Sequence, residues 1–198
     1  MSDYFSVFGL PRELQLDGAA LQRRFYELSR RHHPDFHQMA GEHARAASLE
    51  RSALVNRAYR VLRDPLARVA HVITLEAGGD VEGGNAVKPT APPLLLAEML
   101  EVQEALEEAK AGGLDAAATE RLVQQRQELT ERRTAGDAAL VERFGDWDRA
   151  IDAGADRSAL VAWFRQALAA HAFLSTVIDD LDDALGRAQE RDVSHRRH

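Results

Sequence analysis

The sequence predicts an all-α protein: a helical hairpin within residues 1–77, a linker at 78–93 and an antiparallel three-helix bundle over 94–187. Three observations carry this. Apolar residues recur at spacings of three and four, the signature of amphipathic helices. From Leu94 onward no strand signal interrupts that pattern. Between the halves, residues 78–93 hold two Gly-Gly pairs and three prolines, a composition that cannot support a core.

The chain opens on Tyr4, Phe5, Val7, Phe8 and Leu10, an apolar segment closed by Pro11. It is too short to stand alone and is expected to pack on the hairpin. Asp17 is a good N-cap, and Leu21, Phe25, Leu28 and His32 then form one stripe at spacings of 4, 3 and 4. Other faces of this helix carry Arg23, Arg24, Arg30 and Arg31. The second arm, from about Glu42 to Arg63, presents Ser48, Arg51, Val55, Ala58, Tyr59 and Leu62 at helical spacing. Val55, Tyr59 and Leu62 are expected to oppose Leu21, Phe25 and Leu28. Pro65 suits the first turn of a further apolar helix that ends at Gly78-Gly79.

Between the two arms sits His33-Pro34-Asp35. Proline lacks a backbone donor and pushes its predecessor toward extended geometry. The first arm therefore ends near His32, and an imidazole and a carboxylate stand on a stiffened turn at the hairpin tip. This is the strongest contact site in the chain. The arginines run up to it, which makes a binding face as reasonable as a merely solvated one.

Beyond the linker, one helix is expected over Leu94–Ala111, with Leu95, Met99, Val102, Leu106 and Ala109 in the seam. A second starts near Asp115 and carries Leu122, Leu129, Leu140, Phe144, Trp147 and Ile151, with a bend near Gly136 and an end at Gly154. A third begins near Arg157 with Leu160, Phe164, Ala167, His171, Leu174, Ile178, Leu181 and Leu185 in alternating gaps of 4 and 3. Residues 188–198 read as a charged, disordered tail. Leu96 and Leu100 fall off the seam beside Glu101, Glu104 and Glu108, and Phe173 and Val177 fall off the seam of the third helix. A wide bundle face would bury them as flanks; exposed, they would form an apolar patch rimmed by carboxylates, a protein-binding surface.

Composition narrows the function. Cysteine is absent, which excludes disulfides, thiol nucleophiles and cysteine zinc sites. Met1-Ser2-Asp3-Tyr4-Phe5 has neither a basic region nor an apolar run, so no secretory signal is expected, and no apolar segment approaches a membrane span. A cytoplasmic protein is expected. The net charge of -7 divides into +2 over residues 1–77 and -9 over the remainder, which argues for two modules with different partners and against nucleic acid. His32, His33, His37 and His43 straddle the proline loop without a fixed ligand geometry, so neither a metal, a cofactor nor an enzyme active site is expected.

The helix–His33-Pro34-Asp35–helix unit, with Leu21, Phe25, Leu28, Val55, Asn56, Ala58, Tyr59 and Leu62 around it, resembles a J-domain, and Asn56 to Pro65 strengthens the match. The opening from Asp3 to Pro11 is similar to the HscB co-chaperones of iron–sulfur cluster assembly, and Leu94 to Gln103 and Glu104 resembles that family's scaffold-binding helix. The resemblance implies docking on an HscA- or DnaK-type ATPase chaperone through His33, Pro34 and Asp35, with Arg24, Arg30 and Arg31 as the basic docking face. It implies delivery of an IscU-type scaffold protein through Leu96, Leu100, Glu101, Glu104 and, across the bundle, Phe173. Phe36-His37 stands where many J-domains carry a basic residue, and Ala97 where the family helix commonly has a larger apolar one. The competing reading keeps the J-domain co-chaperone but makes the bundle a dimerisation or general client-binding module.

Overall fold

The computed structural model describes residues 2–32, 42–78, 100, 102, 104, 107 and 115–195. Every regular element among them is helical: α1 (Tyr4–Phe8), α2 (Gly18–Arg31), α3 (Glu42–Arg63), α4 (Pro65–Glu76), α5 (Ala116–Glu142), α6 (Phe144–Asp152) and α7 (Ser158–His195). Residues 100, 102, 104 and 107 are helical as well. The chain divides into two compact units, Met1–Ala86 with Val141–Arg165 and Val87–Leu140 with Gln166–His198.

In the first unit, Asp3 caps α1 by accepting from the Phe5 amide at 3.0 Å. Gly9 closes it in the left-handed region at φ 63°, where a side chain would be strained. This single turn survives because Phe5 and Phe8 are fully buried, and α1 packs on α2 and α3. Asp17 caps α2 through the Ala19 and Ala20 amides. Leu21 and Leu28 are buried, and Phe25 stacks on Tyr59 of α3 with ring centroids 4.1 Å apart. Val55, Ala58 and Leu62 complete the hairpin core as expected. Asp64 caps α4 through the Ala67 amide, ahead of Pro65.

The second bundle helix departs from expectation. The chain continues through Gly136 without interruption and breaks at Arg143, so α5 and α6 are separate helices. Phe144, Trp147 and Phe164 belong to the first unit rather than to the bundle seam. The reason is a set of long-range polar contacts that periodicity does not encode. The Trp147 indole Nε1–H donates to the Arg12 carbonyl at 2.9 Å. The Asp148 carboxylate accepts from the Leu14 and Gln15 amides at 2.6 and 3.0 Å. Arg157 pairs with Glu76 at 3.1 Å and lies over the Trp147 ring. Residues 141–165 thus close the hairpin's core from a distant part of the chain.

Two buried polar side chains on α4 serve the same unit. Arg68 donates from Nη1 to the Leu62 carbonyl at 2.7 Å and sets its guanidinium over the Phe144 ring. His71 Nε2 accepts from the Tyr4 amide at 3.1 Å, and its ring stacks on Tyr4 at 4.3 Å. α4 ends as expected, with Gly78 in the left-handed region at φ 82°.

The second unit's core is Val102, Leu122, Leu129, Leu174, Val177, Ile178, Leu181, Ala184 and Leu185. α5 and α7 run antiparallel, because their cross-links descend in one as they rise in the other. Arg126 meets Asp182 at 2.8 Å, Arg133 meets Ser175 at 3.3 Å, and Asp137 meets His171 at 2.7 Å. His171, expected in the seam, reaches sideways to Asp137. Val177, expected off the seam, is buried within it. α7 continues helically to His195, beyond the expected end of the bundle at Arg187. The stretch Ala188-Gln189-Glu190-Arg191 consists of good helix formers, which accounts for the extension.

Candidate functional site

The hairpin tip is framed on both sides by described residues. On the approach, α2 ends at Arg31, and the His32 amide bonds to the Leu28 carbonyl at 3.0 Å. From α3, the buried Ser48 hydroxyl donates to the His32 carbonyl at 2.9 Å. That bond satisfies a carbonyl the helix end leaves open and ties the α2 terminus to its partner arm. His33, Pro34 and Asp35 follow directly and lie outside the described residues, as do the expected 78–93 linker beyond Gly78, Leu96 and Glu101.

The basic residues expected on α2 are where helical geometry puts them. Arg24, Arg30 and Arg31 are exposed, and so is Arg23. Arg24 spends part of its charge on Glu27, at 3.0 Å. Exposed pairs of this kind contribute little to stability, so the face is free to serve recognition. Arg30 and Arg31 also occupy the last turn of α2, where cations offset the partial negative charge of the helix terminus.

In the second unit, Leu100 is 59% exposed and Glu104 is exposed, while Val102 between them in sequence is buried in the core. Leu100 is therefore an outward apolar side chain rather than a buried flank. Phe173 is half-buried and packs against the core cluster beside Ala170. Its ring is a flank of the seam with an accessible part. Periodicity alone does not reveal the exposed Tyr26, because Phe25 and Tyr26 are adjacent and either ring suits the stripe.

Among the described residues, no helix is long and apolar enough to cross a membrane.

Comparison with known proteins agrees with this arrangement. Residues 91–154 match the family model described as the HSCB C-terminal oligomerisation domain. The chain is 37% identical over 106 residues to the Co-chaperone protein HscB homolog of Vibrio parahaemolyticus serotype O3:K6 (strain RIMD 2210633), covering 54% of this chain and 60% of that protein. The homolog from Vibrio campbellii (strain ATCC BAA-1116) is 36% identical over the same length, with the same coverage. The chain thus spans about 60% of the length of the curated relatives it matches. Chaperone HscB from Vibrio cholerae superposes with a TM-score of 0.64 at 24% identity, covering 94% of this chain and 99% of that one. Human co-chaperone protein HscB gives a TM-score of 0.63 at 22% identity, covering 92% and 81%. The two structures speak for the fold, and the domain match and the curated homologs show that parts of this chain are similar to HscB co-chaperones.

Proposed function

We propose that the chain is an adaptor rather than an enzyme. Its first unit stimulates an HscA- or DnaK-type ATPase chaperone through His33, Pro34 and Asp35, and its bundle delivers an IscU-type scaffold protein. The observation that carries this reading is the exposed arginine face of α2, which ends, tied by Ser48, immediately before His33-Pro34-Asp35. Arg24, Arg30 and Arg31 attract an acidic partner surface, in an encounter that weakens with salt. Asp35 supplies a carboxylate for a partner arginine, a charge-assisted contact.

Leu96, Leu100, Glu101, Glu104 and Phe173 form the scaffold-binding surface in this reading. The exposure of Leu100 beside Glu104 supports it, since burying the remaining area of such a side chain contributes about 1 kcal/mol. His33→Gln abolishes ATPase stimulation while the helical signal and melting temperature stay unchanged; unfolding of that variant would make His33 a structural residue instead. Leu96→Ala with Leu100→Ala weakens scaffold binding at retained helicity, and unchanged affinity would remove the patch.

A second reading draws on the oligomerisation named in the matched domain's description and uses the same exposed Leu100 for self-association. Sedimentation across a concentration series separates the two: a monomer that binds scaffold favours the adaptor, and a dimer dispersed by Leu100→Ala favours self-association.

A further inference from the structure

The outer face of α2 carries an aromatic ring that the hairpin core does not use. Tyr26 is 62% exposed, the most exposed large apolar side chain among the described residues. A lone exposed tyrosine needs no explanation. Three features set this one apart.

The first is restraint. Phe25 takes the inward place by stacking on Tyr59, and Tyr26 points about 100° away around the helix. Its hydroxyl accepts from the Gln22 amide at 3.3 Å, and its ring leans on Phe25 with centroids 5.7 Å apart. A ring held in this way loses little conformational freedom on binding.

The second is its neighbours. One turn either way lie Arg23 and Arg30, three residues before and four after, which are the positions that share a helix face. Arg24 and Arg31 form a separate stripe on the other flank.

The third is the unequal charge of those stripes. The Arg24 guanidinium lies 3.0 Å from Glu27, whereas Arg23 stands 3.9 Å from Asp17, at the limit of an ion pair, with 69% of its side chain exposed. Unspent positive charge therefore gathers beside the ring.

We propose that Tyr26, flanked by Arg23 and Arg30, is the anchor by which α2 docks on its ATPase partner, and that the partner offers an apolar cleft rimmed by carboxylates. This inference rests on the co-chaperone reading and sharpens it, because it moves the dominant contact away from Arg24. Tyrosine and arginine dominate interface hot spots, where a desolvated ring supplies affinity and surrounding charges supply approach and register.

The test titrates the full-length chain against a DnaK-type chaperone and follows steady-state ATP hydrolysis for wild type, Y26A, Y26F, R23A and R24A. Y26A raises the half-stimulating concentration about ten-fold or more and leaves the maximal rate intact, because affinity is lost and the triad is untouched. Y26F stays near wild type. R23A weakens stimulation more than R24A, and the gap closes at high salt. A Y26A half-stimulating concentration within about two-fold of wild type overturns the inference while leaving the co-chaperone reading intact. A Y26F as weak as Y26A overturns the ring-in-cleft contact. A wild-type chain that gives no stimulation at any concentration overturns the co-chaperone reading, and the inference with it.

Discussion

The first unit buries aromatic rings and ties its side chains to backbone groups distant in sequence, whereas the second fills its seam with aliphatic side chains and links α5 to α7 through side-chain pairs. Phe5, Phe8, Phe144, Trp147 and Phe164 are buried in the one; Leu122, Leu174, Ile178, Leu181 and Leu185 in the other. Asp148 and the Trp147 indole bond to backbone groups more than 130 residues earlier in the chain. Arg126 and Asp182 meet with both side chains substantially exposed. The hairpin unit is assembled from specific contacts distant in sequence, whereas the bundle is held by a generic aliphatic seam.

The largest effect that would break this contrast comes from Trp147→Ala. Removing a fully buried indole that also holds the Arg12 carbonyl costs about 3–5 kcal/mol. Hydrogen exchange should quicken at the amides of residues 12–15 and in α1 while α5 up to Leu140 and α7 from Gln166 keep their protection. Equal loss across both units would mean that the chain unfolds as one body and the contrast is only descriptive.

Asp148→Ala and Asp182→Ala sharpen it. The first leaves the part-buried Leu14 amide without its acceptor, a cost of about 1–3 kcal/mol, while water replaces the exposed bond to Gln15. The second deletes an exposed pair with Arg126, worth about 0–1 kcal/mol. Urea denaturation that ranked the two equally would contradict the distinction between a bond to a part-buried amide and an exposed ion pair.

The smallest effect is a pH dependence confined to the first unit. Burial holds His71 below its ordinary value of 6.5, against the nearby Asp3 carboxylate and with the help of Arg12. Its Nε2 accepts from the Tyr4 amide, so the neutral form fits, and a proton there would face another donor. Unfolded histidine binds a proton below about 6.5 and the folded one resists, so this contribution is complete above 6.5 and declines as pH falls toward the lower folded value. Asp3 adds a second decline below its ordinary 3.8. Burial raises its pKa, but hydrogen bonds from Arg12, Ser6 and the Phe5 amide outweigh that and lower it. His71→Phe should flatten the fall in melting temperature as pH drops below 6.5. An unchanged slope would place the titration elsewhere.

Local rules made much of the fold legible. The stripe of Leu21, Phe25 and Leu28, the start at Pro65, the stops at Gly78 and Gly154 and the seam of α7 from Leu174 to Leu185 follow from periodicity and backbone chemistry. The assignment of Phe144 and Trp147 did not, because an apolar face at helical spacing names no partner. Gly136 looked like the bend, yet a helix tolerates a solvent-facing glycine for about 1 kcal/mol, and the break falls at Arg143 where the long-range bonds begin. Arg68 and His71 were invisible as interior groups because their partners are a carbonyl, an amide and rings elsewhere in the chain. In the candidate site, periodicity located the arginines and the off-seam position of Leu100, while the exposure of Leu100 and Tyr26 emerged only with the packing.

The central claim assigns one partner to each unit. Steady-state ATP hydrolysis by an HscA-type chaperone, with this chain and an IscU-type scaffold added singly and together, tests it most directly. Joint addition stimulating far beyond the two separate effects is the predicted result. Stimulation by the chain that is indifferent to the scaffold would contradict the adaptor assignment and leave a working J-domain attached to a bundle with a different cargo.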